Sequence, residues 1–129
     1  MQTASLRARF EEMGTALTQK PHLKRLGQLF SETVLIEVDD QQIYLYFHRG
    51  LLERVEEGPS SKIPWRFALR VDGEALDAFW HPMPAPRFHD IFGFVKTGRG
   101  RIDGDILTLV KNLRFFKEFM ALGRQKEAA

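Results

Sequence analysis

His22, His48, His81 and His89 are the four imidazoles of this 129-residue sequence, and His81, His89 and Asp90 are the combination close enough along the chain to suggest a metal. A metal site on a helix needs the i, i+4 pairing of HExxH or a tight cluster of ligands, and neither spacing is present. Solvated or lightly hydrogen-bonded histidines are the better account, with no metal and no cofactor. Nucleophilic chemistry has as little support. Ser60 and Ser61 lie in a loop beside Pro59 without a glycine-flanked elbow. Ser5 and Ser31 read as helix-terminus or turn residues. Cysteine is absent, which removes thiolate chemistry and disulfides and fits a reducing, cytoplasmic setting. The glycines at 98, 100 and 104 have the wrong spacing for a dinucleotide fingerprint. They also lead into a helix begun by Asp105, whose carboxylate repels phosphate. No constellation here makes an enzyme.

Charge excludes another class. The 19 basic and 17 acidic side chains nearly cancel, for a net charge of +2, and they are spread along the chain. Nucleic-acid binding wants basic residues gathered on one face. Arg66 and Arg70 on one strand and Arg99 and Arg101 on another would make a basic strip if those strands were neighbours. A solvated sheet face paired with Glu37 and Glu53 is the plainer expectation. The first ten residues lack an uninterrupted apolar stretch, so no secretory signal is expected, and no run approaches the roughly 20 apolar residues that span a bilayer.

The elements that must position these residues follow from periodicity. Leu6, Phe10, Met13 and Leu17 form one helical stripe over residues 5–19. Pro21 then opens a shorter helix carrying Leu23, Leu26, Leu29 and Phe30. The period changes to two at Val34, Ile36 and Val38, and again at Ile43, Leu45 and Phe47, around the polar turn at 39–42. Residues 51–57 form a more charged strand nearer an edge. Trp65, Phe67, Leu69 and Val71 alternate cleanly with Arg66, Ala68 and Arg70. A short helix follows through Trp80, then the proline-punctuated segment 81–86, which cannot be helical throughout. Phe88, Ile91, Phe92 and Val95 predict a third helix. Gly98 to Asp103 reads as a short strand, and residues 105–122 as one long helix with Ile106, Leu109, Leu113, Phe116 and Met120 on a single stripe. Strands joined by short turns predict an α+β domain over 1–129, with a mostly antiparallel five-stranded sheet and helices packed on one face.

From Trp65 onward the pattern resembles the sterol carrier protein 2 (SCP-2) family of lipid-binding domains. Three strings carry the resemblance: Phe67-Ala68-Leu69-Arg70-Val71-Asp72-Gly73, a strand running into an acidic helix start; residues 86–98, a helix ending in glycine; and residues 98–105 followed by an apolar helix. Gly100 stands where the family usually has an aliphatic residue, and the 81–86 connector is richer in proline and histidine than the pattern. The resemblance implies an SCP-2-like fold enclosing an apolar cavity, a non-enzymatic carrier role, and, in some bacterial relatives, assistance to ubiquinone biosynthesis.

The aromatic content fits that implication. Eleven phenylalanines, with two tryptophans and two tyrosines, exceed what a domain of this size ordinarily needs as filler. Trp65, Phe79, Trp80, Phe88, Phe92, Phe94, Phe115 and Phe119 are the candidate ligand-binding residues. Phe115 and Phe119 lie off the last helix's stripe, four residues apart. Either a neighbouring helix covers them, or they form a cavity mouth, a membrane contact or a dimer surface. The expected partner is a hydrophobic lipid-like ligand: a sterol, a fatty acyl chain or an isoprenoid quinone. The alternative is an interaction or dimerisation module using the same aromatic surface, such as an accessory protein of ubiquinone biosynthesis.

Overall fold

The computed structural model describes residues 5–124. Ser5 begins α1 (Leu6–Thr18) by accepting a hydrogen bond from the Ala8 amide at 3.1 Å, and the helix buries Phe10, Met13 and Leu17. Pro21 opens α2 (Pro21–Leu26), which stops at Gly27, one turn earlier than its apolar spacing predicts. Leu29 consequently stands 92% exposed in the turn, while Phe30 is drawn into the core.

Three strands follow, β1 (Thr33–Val38), β2 (Gln41–His48) and β3 (Leu51–Glu57), and then β4 (Phe67–Val71). The first three form an antiparallel meander. The loop 58–66 then carries the chain across the sheet, so that β4 lies parallel to β1 with Val34 opposite Phe67. This departs from a simple run of short turns, because a nine-residue loop folded over one face allows a crossover that a tight turn forbids. Asp72 caps α3 (Gly73–Phe79) by accepting from the Ala75 amide at 2.8 Å. Next come α4 (Phe92–Lys96) and β5 (Gly100–Gly104), which pairs antiparallel with β4 and completes the order β3-β2-β1-β4-β5.

Two predicted helices are shorter than their patterns. The stripe from Phe88 to Val95 yields only Phe92–Lys96: residues 88–91 run as coil, bends and a turn, with the Phe92 amide bonded to Asp90 at 2.9 Å. The last helix divides into α5 (Ile106–Lys111) and α6 (Leu113–Ala121). Asn112 makes the break: its side-chain amide donates to the Thr108 carbonyl at 2.9 Å and its backbone leaves the helical region. The break rotates α6 relative to α5. Phe115, Phe116, Phe119 and Met120 are all buried, whereas Ile106, expected on the buried stripe, is 44% exposed.

The sheet's inner face presents Val34, Ile36, Leu45, Phe47, Phe67 and Leu69 to the helices. Each buried side chain of this kind contributes about 1.5–3 kcal/mol. Its outer face buries Leu35, Tyr44 and Ala68 under the 58–66 loop, where Tyr44 Oη donates to the Ser60 carbonyl at 3.0 Å.

Beside that cluster the outer face is a charge network. The arginines do form neighbouring strands, with Arg70 opposite Arg101, but carboxylates intervene. Arg70 donates to Glu37 at 2.6 Å and to Asp103 at 2.7 Å, and Arg101 donates to the same Asp103 oxygen at 2.9 Å. Arg99 grips Asp72 through two bonds of 2.7 and 2.8 Å. Glu37 is therefore one of the expected partners; Glu53, on β3, takes no part. Hydrogen bonds from Gln42 and then Arg70 hold the Glu37 carboxyl below its ordinary value, and those from Arg70 and then Arg101 do the same for Asp103. Lowered carboxyl values stabilise the fold above the ordinary carboxylate range, and that contribution is lost as the pH falls through the depressed values.

Two outcomes follow for stability. A Cβ on Gly93 would lie 1.6 Å from the Arg87 carbonyl oxygen, so Gly93→Ala must push the 87–93 turn off α4. The expected cost is about 2 kcal/mol or more in urea unfolding; an unchanged midpoint would show the turn to be loosely held. Arg70→Met should cost about 1 kcal/mol at neutral pH, after allowance for partial exposure, and progressively less in acid. An equal cost at both pH values would mean that Arg70 acts through packing rather than charge.

Candidate functional site

The inner sheet face and the helices enclose a layer of rings. Phe79 at the end of α3, Trp80 just after it, Phe94 on α4, and Phe115 and Phe119 on α6 are each 3% exposed or less. Phe47 from β2 meets Phe115 at 5.8 Å and Phe119 at 5.0 Å between centroids, both edge-on. Phe119 continues to Phe10 at 6.3 Å, and Phe10 to Trp80 at 5.6 Å. Phe79 and Phe94 form a separate edge-to-face pair at 5.4 Å. Of the two readings of Phe115 and Phe119, the covered one holds in this conformation: sheet, α1 and α2 close over the side of α6 that carries them.

Polar groups fasten the layer at one end. Trp80 donates its indole N–H to the Met120 carbonyl at 2.8 Å, satisfying a buried donor and tying α3 to α6. Gly123 leaves room for that indole, since a Cβ there would lie 2.3 Å from the ring. Arg124 donates to the Phe79 carbonyl at 2.9 Å and the His89 carbonyl at 3.3 Å, with its guanidinium 4.8 Å from the Phe79 ring centre. Burial lowers the proton affinity of Arg124 from the ordinary arginine value. The Arg9 guanidinium lies over the Trp80 ring at 4.8 Å.

The cover of this layer is less firmly held. Phe88 and Phe92 are half-buried and flank Ile91, which is fully buried. Lys117 bridges the segment to α6, with its ammonium 5.8 Å from the Phe92 ring centre and 3.1 Å from the Asp90 carboxylate. Met83, in the proline-rich stretch before it, is 70% exposed.

Six of the eight aromatic candidates thus border one region. Phe92, half-buried, meets the Lys117 ammonium instead, and Trp65 lies elsewhere. It precedes β4 and packs half-buried with Leu35, Tyr44 and Ala68 on the outer face, because strand alternation begins only at Phe67. Sequence reasoning left out Phe10, Phe30, Phe47, Phe67 and Phe116, which belong to the same layer. Their periodicity assigned them to a core, and a core and a ring-lined site share one pattern.

The polar candidates are engaged elsewhere. His22 meets Glu118 at 2.9 Å, and His81 Nδ1 accepts from the Met83 amide at 3.1 Å. Asp90 accepts from the Phe92 amide at 2.9 Å, just ahead of α4. No group of three or more metal-ligating side chains converges among the described residues. Ser60 Oγ accepts from Lys62 N, and Ser31 Oγ from Arg49 N. The surface bears clefts of about 430 Å³ beside the Arg70–Arg99 network and about 560 Å³ between α1 and β3, both lined largely by charged and polar groups. Neither touches the aromatic layer.

No family model and no curated protein sequence matches the chain. Solved structures do. A crystal structure of sterol carrier protein 2 superposes with a TM-score of 0.71 at 11% identity, covering 94% of this chain and 97% of that one. A Thermus thermophilus protein, described as possibly a sterol carrier protein, gives 0.73 at 10% identity over 100% and 94%. A protein described as UbiJ-SCP2, a ubiquinone synthesis protein, gives 0.59 at 17% identity over 88% and 90%. At such identities the likeness is one of fold. The chain is an α+β domain with the sterol carrier protein 2 fold.

Proposed function

We propose that this domain binds a hydrophobic small molecule and carries or presents it without transforming it. The reading rests on one observation: a continuous layer of buried rings lies between the sheet and α3, α4 and α6 in a sterol carrier fold. Ligand sites for apolar molecules are concave, mostly aromatic and aliphatic, and carry few polar groups. The ligand is a sterol-like lipid, a fatty acyl chain or an isoprenoid quinone, and its binding is driven by removal of apolar area from water at about 25 cal/mol per Å².

Phe79, Trp80, Phe88, Phe92, Phe94, Phe115 and Phe119 are the contacts in this reading, and Trp65, across the sheet, is outside it. Room for the ligand comes from displacement of the segment bearing Phe88 and Phe92, which is anchored by Asp90, Lys117 and Arg124 rather than by a helix of its own length. Segments with few buried contacts open at the lowest cost. The cytoplasm is the compartment this reading assumes. A second reading, an accessory protein of ubiquinone biosynthesis, draws on the UbiJ-SCP2 likeness; there the layer holds a quinone precursor, or the same rings dock a partner protein.

Native mass spectrometry of gently purified protein, followed by organic extraction, tests the proposal. A stoichiometric lipid or quinone is the expected finding; an apo protein that also ignores lipid and quinone probes would sink it. Variants separate the walls from the cover. Phe119→Glu places a charge at a fully buried site and should lower stability by about 4 kcal/mol or more. Phe92→Ala, at a half-buried position, should leave thermal unfolding within a few degrees while weakening probe binding about tenfold. Unaltered binding by Phe92→Ala would remove the cover segment from the site.

A further inference from the structure

Among the described residues the sheet has two free edges, and they differ in kind. On β3, Gly58 N donates to Gln42 O, so antiparallel alternation turns the backbone N–H and C=O of Val55 and Glu57 outward. That edge carries Glu53, Arg54, Glu56 and Glu57 and a register irregularity opposite Tyr46 and Phe47. Charges and bulges of this sort blunt an edge against further pairing. A second copy paired about Val55 would also set Glu53 against Glu57.

On β5, Asp105 N donates to Arg66 O at 2.8 Å and Asp72 N to Arg99 O at 3.4 Å. The same alternation turns the backbone groups of Gly100, Ile102 and Gly104 away from β4. No loop or turn hydrogen bond reaches residues 100–104 among the described residues, and none of the five is buried. The sequence of this edge is Gly-Arg-Ile-Asp-Gly, which is complementary to itself when reversed.

From this edge we propose that β5 pairs antiparallel with β5 of a second copy of the chain, about a two-fold axis at Ile102, to join two five-stranded sheets into one. In that register Ile102 faces its own counterpart as a hydrogen-bonded pair, the pairing its outward N–H and C=O require. Gly100 lies opposite Gly104 of the other copy, so no side chain crowds the flanks. Arg101 lies opposite the other copy's Asp103, and Asp103 opposite its Arg101, which sets two pairs of opposite charge directly across the junction. The Arg101 side chain is 71% exposed, and its 2.9 Å bond to Asp103 of its own chain would be exchanged for, or shared with, the other copy's Asp103.

A five-residue strand edge alone falls short of the roughly 800 Å² per partner of a stable dimer. The surface continues, however, into α5. At about 100° per residue its outward arc carries Ile106, Val110 and Leu107, which are 44%, 54% and 62% exposed. In the antiparallel register this arc meets the chain leading into the other copy's β5, where Val95 is 43% exposed. The contact is isologous and closed, so it yields a dimer and stops there.

Sedimentation of the full chain across a range of concentrations tests this independently of any ligand. The wild type should dimerise, and Arg101→Asp should weaken the dimer about tenfold by placing like charges across both pairs. Asp103→Arg should do the same alone, whereas an equimolar mixture of the two variants should regain wild-type affinity, since each then meets the opposite charge. A wild type that stays monomeric at millimolar concentration overturns the proposal. So does a mixture no tighter than its folded components. Asp103→Arg also removes a partner of Arg70, so a second measurement guards against misfolding. The chain contains no cysteine, and Ile102→Cys should cross-link to its own copy on mild oxidation while Glu53→Cys, on the opposite edge, should not. Failure of Ile102→Cys to cross-link overturns the pairing.

Discussion

Phe47 stands at the junction on which the rest of the molecule depends. Its ring, projecting from the inner face of the sheet, is met by Phe30 at 5.3 Å, Phe115 at 5.8 Å and Phe119 at 5.0 Å. Helices this short cannot cover a five-stranded sheet with aliphatic side chains alone: α2 and α5 have six residues each and α4 has five. Large flat rings span the remaining distance, and edge-to-face contacts give them defined orientations. The break at Asn112 belongs to the same constraint. It sets the phase of α6 apart from that of α5, so that Phe115, Phe116 and Phe119 are buried while Ile106 is left exposed.

Much of this was legible in the residues. Val34, Ile36 and Val38 and their counterparts on β2 and β4 announced strands with one buried face, because a period of two has few other physical explanations. Asp72 and Asp105 announced the starts of α3 and α5 through their capping oxygens. What stayed hidden depended on groups distant in sequence. Nothing local in 58–66 specifies that the loop crosses the outer face and delivers β4 beside β1. The apolar spacing from Phe88 to Val95 carries no sign that residues 88–91 run as coil, bends and a turn, and it therefore predicted a helix of which only Phe92–Lys96 forms. Trp65 looked like the first residue of the cleanest strand and lies instead on the opposite face from Phe67.

The same limit governs the site. Aromatic residues on α3, α4 and α6 were picked out by their number and by their distance from an expected stripe, and the fold gathers six of the eight candidates, leaving Phe92 and Trp65 outside the layer. Phe10, Phe30 and Phe47 belong to the same layer but were indistinguishable from filler. Rings that pack against one another and rings that receive a ligand obey the same burial rule, so composition identifies the layer and leaves its occupancy to binding measurements. The outer face obeys a different rule: Glu37, Arg70, Asp103 and Arg101 satisfy one another in alternating sign, which keeps that surface polar while the inner one stays dry.

The parallel pairing of β1 with β4 also sets the order in which the molecule can be assembled. Hairpins such as β1–β2 close over a few residues and form early, whereas the seam that places Val34 beside Phe67 needs the whole of β2, β3 and the 58–66 loop to be in place first. Until then β1 is itself a free edge, apolar on both faces through Val34, Leu35 and Ile36. A ribosome-bound chain ending before residue 67 would expose that edge to neighbouring chains. Arrival of β4 covers that edge of β1, and β5 then covers the outer edge of β4.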